Sequence, residues 1–223
     1  LKRLMCESDG VICLQAFEII WVGGAPLPKD LETQARKKSL RLAPSYGCTE
    51  TGAMITSMTP DEFLSGESGC GSPLGDVELG IAAKGALKIR TKRTAIAYWS
   101  DGVMNQIKDK DGWWHSGDAA ELTNEDDSDS LKLKVLGRLD NAIHSGGETI
   151  FLERLSEQLI VEAKLAKIPL KNLLLLPIKD KEWGQRIVAL MELNENNRDV
   201  DKTLVIFKKL KEVVKAWLPA ERP

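Results

Sequence analysis

The sequence lacks an excess of either charge, long apolar runs and paired cysteines. Its 223 residues carry 31 basic and 33 acidic side chains, for a formal net charge of −2. No basic field therefore exists to hold a polyanion by counterion release, and nucleic acid is not an expected partner. Apolar runs such as Leu173 to Leu176 fall far short of the roughly 20 residues that cross a bilayer, and no signal-peptide pattern opens the chain. The cytoplasm is the expected compartment. Cys6, Cys13, Cys48 and Cys70 are scattered without a C-x-x-C pair and without histidines at metal-ligand spacing. They read as reduced thiols, mostly buried.

What is present suits a globular protein: 43% hydrophobic and 29% charged residues, enough for one large domain or a larger piece joined to a smaller one. The chain starts at Leu1 rather than Met and stops at Pro223 just after an apolar-patterned segment, so it reads as a fragment.

The run Phe17 to Val22 is apolar and β-rich, is broken by Gly23-Gly24-Ala25-Pro26, and gives way to a helical pattern after Pro28. A second strand-like stretch, Leu40 to Ala43, leads into the polar glycine segment Ser45 to Gly52. Two strands ending in glycine loops with a helix between them predict parallel α/β architecture, with a ligand at the strands' carboxyl ends. From Gly66 to Arg138 the texture changes to short β-type runs, Val77 to Ile81, Ala86 to Arg90 and Leu131 to Leu136, which predict a small antiparallel sheet or barrel. The acidic stretch Glu125-Asp126-Asp127-Ser128-Asp129 falls where a hairpin tip would lie and reads as a solvated loop.

A third unit begins with Ser145-Gly146-Gly147-Glu148. It continues as a helix with Leu152, Leu155, Leu159 and Ala163 on one face, then strands at Leu173 to Leu176 and Ile187 to Leu193. A final helix carries Leu204, Phe207, Leu210, Val214 and Trp217 on one side, and both stripes read as core.

The chemistry lies in an ordered set of short motifs: GGAP at Gly23 to Pro26, YGCTET at Tyr46 to Thr51, HSGD at His115 to Asp118, and GRLDNAIHSGGE at Gly137 to Glu148. GGAP alone would read as an ordinary turn. Together, in this order, they resemble the adenylate-forming superfamily of acyl-CoA synthetases, luciferases and peptide-synthetase adenylation domains over nearly the whole chain. The fold class this implies is α/β: residues 1–75 as the α/β remainder of a large N-terminal domain, 76–139 as a β-barrel-like subdomain, and 140–223 as a small mobile α+β C-terminal domain.

The resemblance implies an enzyme using ATP, Mg²⁺ and CoA, which attaches a carboxylate to the α-phosphate of ATP and then lets the CoA thiol displace AMP. Gly47 would let the backbone pass close to the acyl adenylate, Thr49 would bond its phosphate, and Glu50 would help hold Mg²⁺. Tyr46 would lie along the adenine, with Gly23, Gly24 and Ala25 as the other wall. Asp118 would accept both ribose hydroxyls, and Arg138 would add a cation nearby. Asp140 matches the family's hinge, and Ser145, Gly146 and Gly147 match a loop lining the pantetheine tunnel, with a plain turn into the next helix as the alternative. His115 reads as a packed or turn histidine and His144 as a solvent-facing one; neither is given a catalytic role.

The family's phosphate loop is expected before Leu1 and its lysine after Pro223. The chain by itself is therefore expected not to form acyl adenylate at a useful rate. The segments Thr59-Pro60-Asp61-Glu62-Phe63-Leu64-Ser65-Gly66 and Ser68 to Leu74 resemble the 2-succinylbenzoate–CoA ligase branch of menaquinone and phylloquinone synthesis. Three alternatives stay open: another aryl- or fatty-acyl-CoA synthetase, a non-catalytic nucleotide-binding module, and a peptide-synthetase adenylation domain, which would predict a following carrier domain. The pocket would take a small-molecule carboxylic acid, with Ser45 as one wall, and a homo-oligomer is left open.

Overall fold

The structure, a computed structural model, describes residues 1–124, 131–194 and 200–223, without the side chains of 200–203. The acidic stretch at 125–129 lies outside the described residues. Two compact units emerge, Leu1–Leu136 and Gly137–Pro223.

In the first unit, short helices α1 (Lys2–Met5) and α2 (Ser8–Gln15) precede β1 (Ile20–Val22), α3 (Lys29–Lys37) and β2 (Leu42–Cys48). β1 and β2 pair in parallel, Ile20 with Leu42, with α3 as their crossover, as the strand–helix–strand pattern predicts. The first strand is shorter than the expected run FEIIWV, and Phe17 is exposed. The second begins at Leu42 instead of Leu40 and runs through Ser45, Tyr46, Gly47 and Cys48, so most of the polar segment is strand. Its backbone groups are taken up by β3 (Ala53–Ser57), antiparallel to β2, which a reading by polarity cannot foresee.

Helix α4 (Pro60–Ser65) and β4 (Ser72–Pro73) complete this layer, in sheet order β1-β2-β3-β4. Phe63, Leu40, Leu42 and Met58 form its fully shielded core. The segment TPDEFLSG is a helix with both its signals: Thr59 accepts the Glu62 amide, Glu62 accepts the Thr59 amide at 2.7 Å, Pro60 opens the first turn, and Gly66 closes it at φ 108°.

The texture change after Gly66 becomes a second sheet. β5 (Glu78–Ile81) and β6 (Ala86–Arg90) fall where the β-type runs predict, followed by the hairpin β7 (Ala97–Ser100) and β8 (Val103–Gln106), then β9 (Trp114–Asn124) and β10 (Leu131–Arg138). The order is β10-β9-β6-β5, with β5, β6 and β9 antiparallel. Ile55, Leu87, Ile89, Trp114 and Leu133 build the core beneath it.

In the second unit, β11 (Ile143–Ser145) and β12 (Glu148–Ile150) form a tight hairpin before α5 (Leu152–Leu165), β13 (Leu170–Asp180), β14 (Gly184–Leu193) and α6 (Val200–Val213). The sheet order is β12-β11-β14-β13. Leu155, Leu159 and Ala163 are buried at the predicted spacing. The final stripe is core only at its end: Leu210, Val214 and Trp217 are buried, but Leu204 and Phe207 are about half exposed at 50% and 49%. The cysteines also depart from expectation, since Cys6 and Cys13 are exposed and Cys48 and Cys70 are half-buried; all four are unpaired. Among the described residues no helix is long and apolar enough to cross a membrane.

Candidate functional site

The end of β1 and the β2–β3 turn enclose an open cleft of about 270 Å³ lined by Gly23, Gly24, Ser45, Gly47, Cys48, Ala53 and Met54. Two of the glycines are there for proximity. A Cβ on Gly47 would sit 2.3 Å from the Ala53 carbonyl oxygen and 2.5 Å from the Met54 Cα, because the β2–β3 register slips by one residue between Tyr46 and Gly47. A Cβ on Gly23 would sit 2.8 Å from Ser45 Oγ, which itself donates to the Val22 carbonyl at 3.2 Å. Gly24 differs, needing a left-handed φ of 81°. Ala25 is exposed, and neither it nor Tyr46 lines the cleft. Tyr46 instead packs against the Ile55–Trp114 core.

There the Tyr46 hydroxyl donates to Asp118 Oδ2 across 72 residues of sequence. Burial first, and then this carboxylate, push the Tyr46 phenol far above the ordinary tyrosine range, so it is a permanent donor. Asp118 lies on β9, where Ser116 Oγ accepts its amide at 3.2 Å and approaches the Leu87 carbonyl at 3.4 Å. HSGD is thus a strand segment, with Gly117 at φ 78° turning the chain between the two side chains. His115 is exposed and meets Asp109 at 3.3 Å, on the surface and away from any packed position.

After β2 the chain makes one 3₁₀ turn, Thr49–Thr51, capped by Gly52 at φ 72°. Thr51 is fully buried, and its hydroxyl bonds the Cys48 and Ala53 carbonyls at 3.1 and 2.9 Å, knitting the turn shut. The turn thereby presents Thr49 exposed and Glu50 half-exposed. Glu50 Oε1 accepts the Tyr98 hydroxyl at 2.8 Å, and its main-chain carbonyl accepts the Ala95 amide at 2.7 Å. Burial and then the Glu50 carboxylate raise the Tyr98 phenol above its ordinary value.

The donor set fits a magnesium ion shared with phosphates. Among the described residues no group of three or more His, Cys, Asp or Glu side chains could hold a metal alone. One carboxylate and one hydroxyl on an exposed turn suit a cation that keeps its waters and takes its remaining oxygens from a substrate.

In the second unit the Arg138 guanidinium grips Asp140, with Nε–Oδ1 and Nη2–Oδ2 both at 3.0 Å. That contact holds the Asp140 carboxyl below its usual range. Ser145, Gly146 and Gly147 form the β11–β12 turn, with φ of 57° and 90° at the two glycines, the signature of a two-residue hairpin. They join a strand, not a helix. Ser145 is fully buried and the Trp183 ring lies on Gly146, where a Cβ would meet it at 2.6 Å. His144 is exposed on β11, its ring 3.3 Å from the Thr149 hydroxyl.

With this geometry in view, the chain can be set beside known proteins. No family model matches it. The 2-succinylbenzoate–CoA ligase of Escherichia coli is 31% identical over 203 residues, 91% of this chain and 40% of that protein. The Salmonella typhimurium 2-succinylbenzoate–CoA ligase is 32% identical over 202 residues, 90% of this chain and 40% of the relative. The chain is a homologue of the 2-succinylbenzoate–CoA ligases. It spans about 40% of the length of these curated ligases. Wild-type E. coli MenE with a bound phenylether-linked analogue of OSB-AMS superposes at a TM-score of 0.67 with 29% identity, covering 96% of this chain and 44% of that one. The Bacillus subtilis o-succinylbenzoate CoA synthetase in complex with the acyl-adenylate OSB-AMP reaches 0.73 at 22% identity, over 96% and 44%, a likeness of fold.

The hydrogen bonds also bring in residues to which reading by motif gave no role. Tyr98 donates to the Glu50 carboxylate, Ser116 accepts the Asp118 amide, and Thr51 closes the turn that carries Glu50. Tyr98 carries no local signal, because its bond to Glu50 spans 48 positions, whereas Ser116 and Thr51 stand inside the quoted motifs without a role read from them. The TPDEFLSG segment that carried the likeness to this ligase branch proves to be a capped helix. Its Glu62 binds Lys132 rather than lining the cleft.

Proposed function

We propose that the whole protein is an AMP-forming 2-succinylbenzoate–CoA ligase, and that this chain supplies the nucleotide-facing part of its first unit and its second, mobile unit. In the first half-reaction a substrate carboxylate oxygen attacks the α-phosphorus of ATP, a new O–P bond forms, and pyrophosphate leaves with the electrons of the broken P–O bond. In the second, the CoA sulfur gives up its proton and attacks the acyl carbonyl, a C–S bond forms, the acyl C–O bond to the phosphate breaks, and AMP leaves with that bond's electron pair.

The chain's own residues divide these tasks by chemistry. Asp118, held by the Tyr46 phenol, offers carboxylate oxygens as acceptors for ribose hydroxyls. The bare rim of Gly23, Gly24 and Gly47 lets a planar base and an acyl phosphate approach the backbone closely. Thr49 offers a hydroxyl to phosphate, and Glu50 is the ligand for Mg²⁺, which supplies charge neutralisation when bound. Arg138 and Asp140 form the joint at the start of the second unit, and the Ser145-Gly146-Gly147 turn lines the path of the CoA arm. The compartment is cytoplasmic.

The observation that carries this reading is the Tyr46–Asp118 bond, which joins two motifs 72 residues apart in sequence. The test is mass-spectrometric detection of CoA thioester from the full-length protein given ATP, Mg²⁺ and CoA with 2-succinylbenzoate, and in parallel with benzoate, coumarate and a medium-chain fatty acid. Thioester with 2-succinylbenzoate alone is expected. Preference for a monocarboxylate would keep adenylation and discard the acid; no thioester with any acid would leave only nucleotide binding.

A further inference from the structure

The chain has two tyrosines, and each donates its hydroxyl to a carboxylate given a site role, Tyr46 to Asp118 and Tyr98 to Glu50. Tyr46 belongs to the motif already discussed. Tyr98 belongs to none, and lies on the β7–β8 hairpin.

Most of that hairpin is exposed. Its neighbours in sequence, Ile96 and Trp99, are 74% and 71% exposed, and every residue of β8 is exposed. A two-stranded hairpin without a covered face is marginal in water. Its root is nevertheless tied to the 3₁₀ turn by the Ala95 amide on the Glu50 carbonyl at 2.7 Å. Three residues further on, Tyr98 reaches the Glu50 side chain at 2.8 Å. Two bonds from one hairpin thus converge on one residue.

We infer that Tyr98 is a positioning residue for Glu50, holding its carboxylate in the rotamer that meets the metal and so setting the affinity for Mg²⁺ in the presence of ATP. The inference rests on the reading of Glu50 as the magnesium ligand. A glutamate on an exposed turn samples several rotamers, and freezing one costs entropy at the moment a cation binds. A phenol hydrogen bond settles that orientation beforehand. A carboxylate offers about four lone-pair directions, so accepting a phenol is compatible with accepting a cation as well. Partners of this kind behind a metal ligand change affinity by on the order of tenfold or more.

The experiment uses the full-length protein and its Tyr98→Phe and Glu50→Gln variants. Two quantities are measured: the Mg²⁺ concentration giving half-maximal ATP–pyrophosphate exchange at saturating acid, and the thermal midpoint. Tyr98→Phe is expected to raise the Mg²⁺ requirement on the order of tenfold, with the KM for the acid and the thermal midpoint unmoved. A hairpin staple without a role at the metal would do the reverse, lowering the midpoint and leaving the Mg²⁺ requirement in place, and would overturn the inference. If Glu50→Gln shifts the requirement and Tyr98→Phe does not, Tyr98 is excluded while the metal role of Glu50 stands. If neither shifts it, both fall. A readout independent of turnover and of the stability of any variant is 3-fluorotyrosine in place of Tyr98. Its ¹⁹F resonance should move when Mg²⁺ is added to the ATP-bound protein, and a resonance that stays put overturns the inference.

Discussion

Gly47 in the first unit and Gly147 in the second sit in glycine motifs that look alike on paper, yet the structure requires them for opposite reasons. At Gly47 the backbone is ordinary extended strand, but a Cβ would collide with the main chain of Ala53 and Met54. At Gly147 the surroundings are open and the constraint is the φ of 90° itself. Gly146 combines both, with φ 57° and the Trp183 ring 2.6 Å from where a methyl carbon would sit. A ligand-facing glycine defined by proximity cannot be rescued by any side chain. One defined by dihedral angle accepts residues that tolerate the left-handed region.

A graded series would break or sharpen that contrast. The largest effect is expected from Gly47→Ala, about 3 kcal/mol, since two backbone segments must separate to admit the methyl. Thermal unfolding should show it together with lost ATP binding. Gly146→Ala should cost about 2 kcal/mol, because the flexible part of the clash is a side chain that can shift. Gly147→Ala should cost about 1 kcal/mol, and Gly147→Asn less. If Gly47→Ala proves no worse than Gly147→Ala, the close-approach account of the cleft rim is wrong.

The units differ in their charges as well. In the first, Lys132 is 12% exposed and binds both Glu62 and Glu67, while in the second Arg138–Asp140 and Lys171–Glu192 stand in solvent, where such pairs contribute about 0–1 kcal/mol. Burial alone would raise the Glu62 carboxyl, but the Lys132 ammonium and the Thr59 amide outweigh it and hold the group below its ordinary value. A depressed carboxyl contributes stability that is present above its unfolded value, near pH 4.3, and is lost as pH falls through the folded value. Acid should therefore loosen α4 and β10 before the second unit's sheet, as read by amide exchange between about pH 5 and 3. Lys132→Met should flatten that dependence. This is the smallest expected effect, and equal acid sensitivity in the two units would remove the distinction.

Much of the fold was legible. The Leu155, Leu159, Ala163 stripe, the β–α–β beginning and the β-runs at 78–90 follow from period and turn chemistry, which act over a few residues. The glycine cleft was legible as a motif, but its walls were not. Leu204 and Phe207 share a helical stripe with Leu210, yet only the latter finds a partner surface.

The sequence by itself determined the order of elements, the capped helix at Thr59 to Gly66 and the presence of two carboxylates among glycine-rich motifs, because each is written in residues close together along the chain. Only the tertiary structure decided that Tyr46 holds Asp118, that Tyr98 holds Glu50 and that Gly47 is bare because β3 lies against it. Those contacts span up to 72 residues and depend on strand register, on which side of a sheet a side chain falls, and on which segments the fold brings within hydrogen-bonding reach of one another.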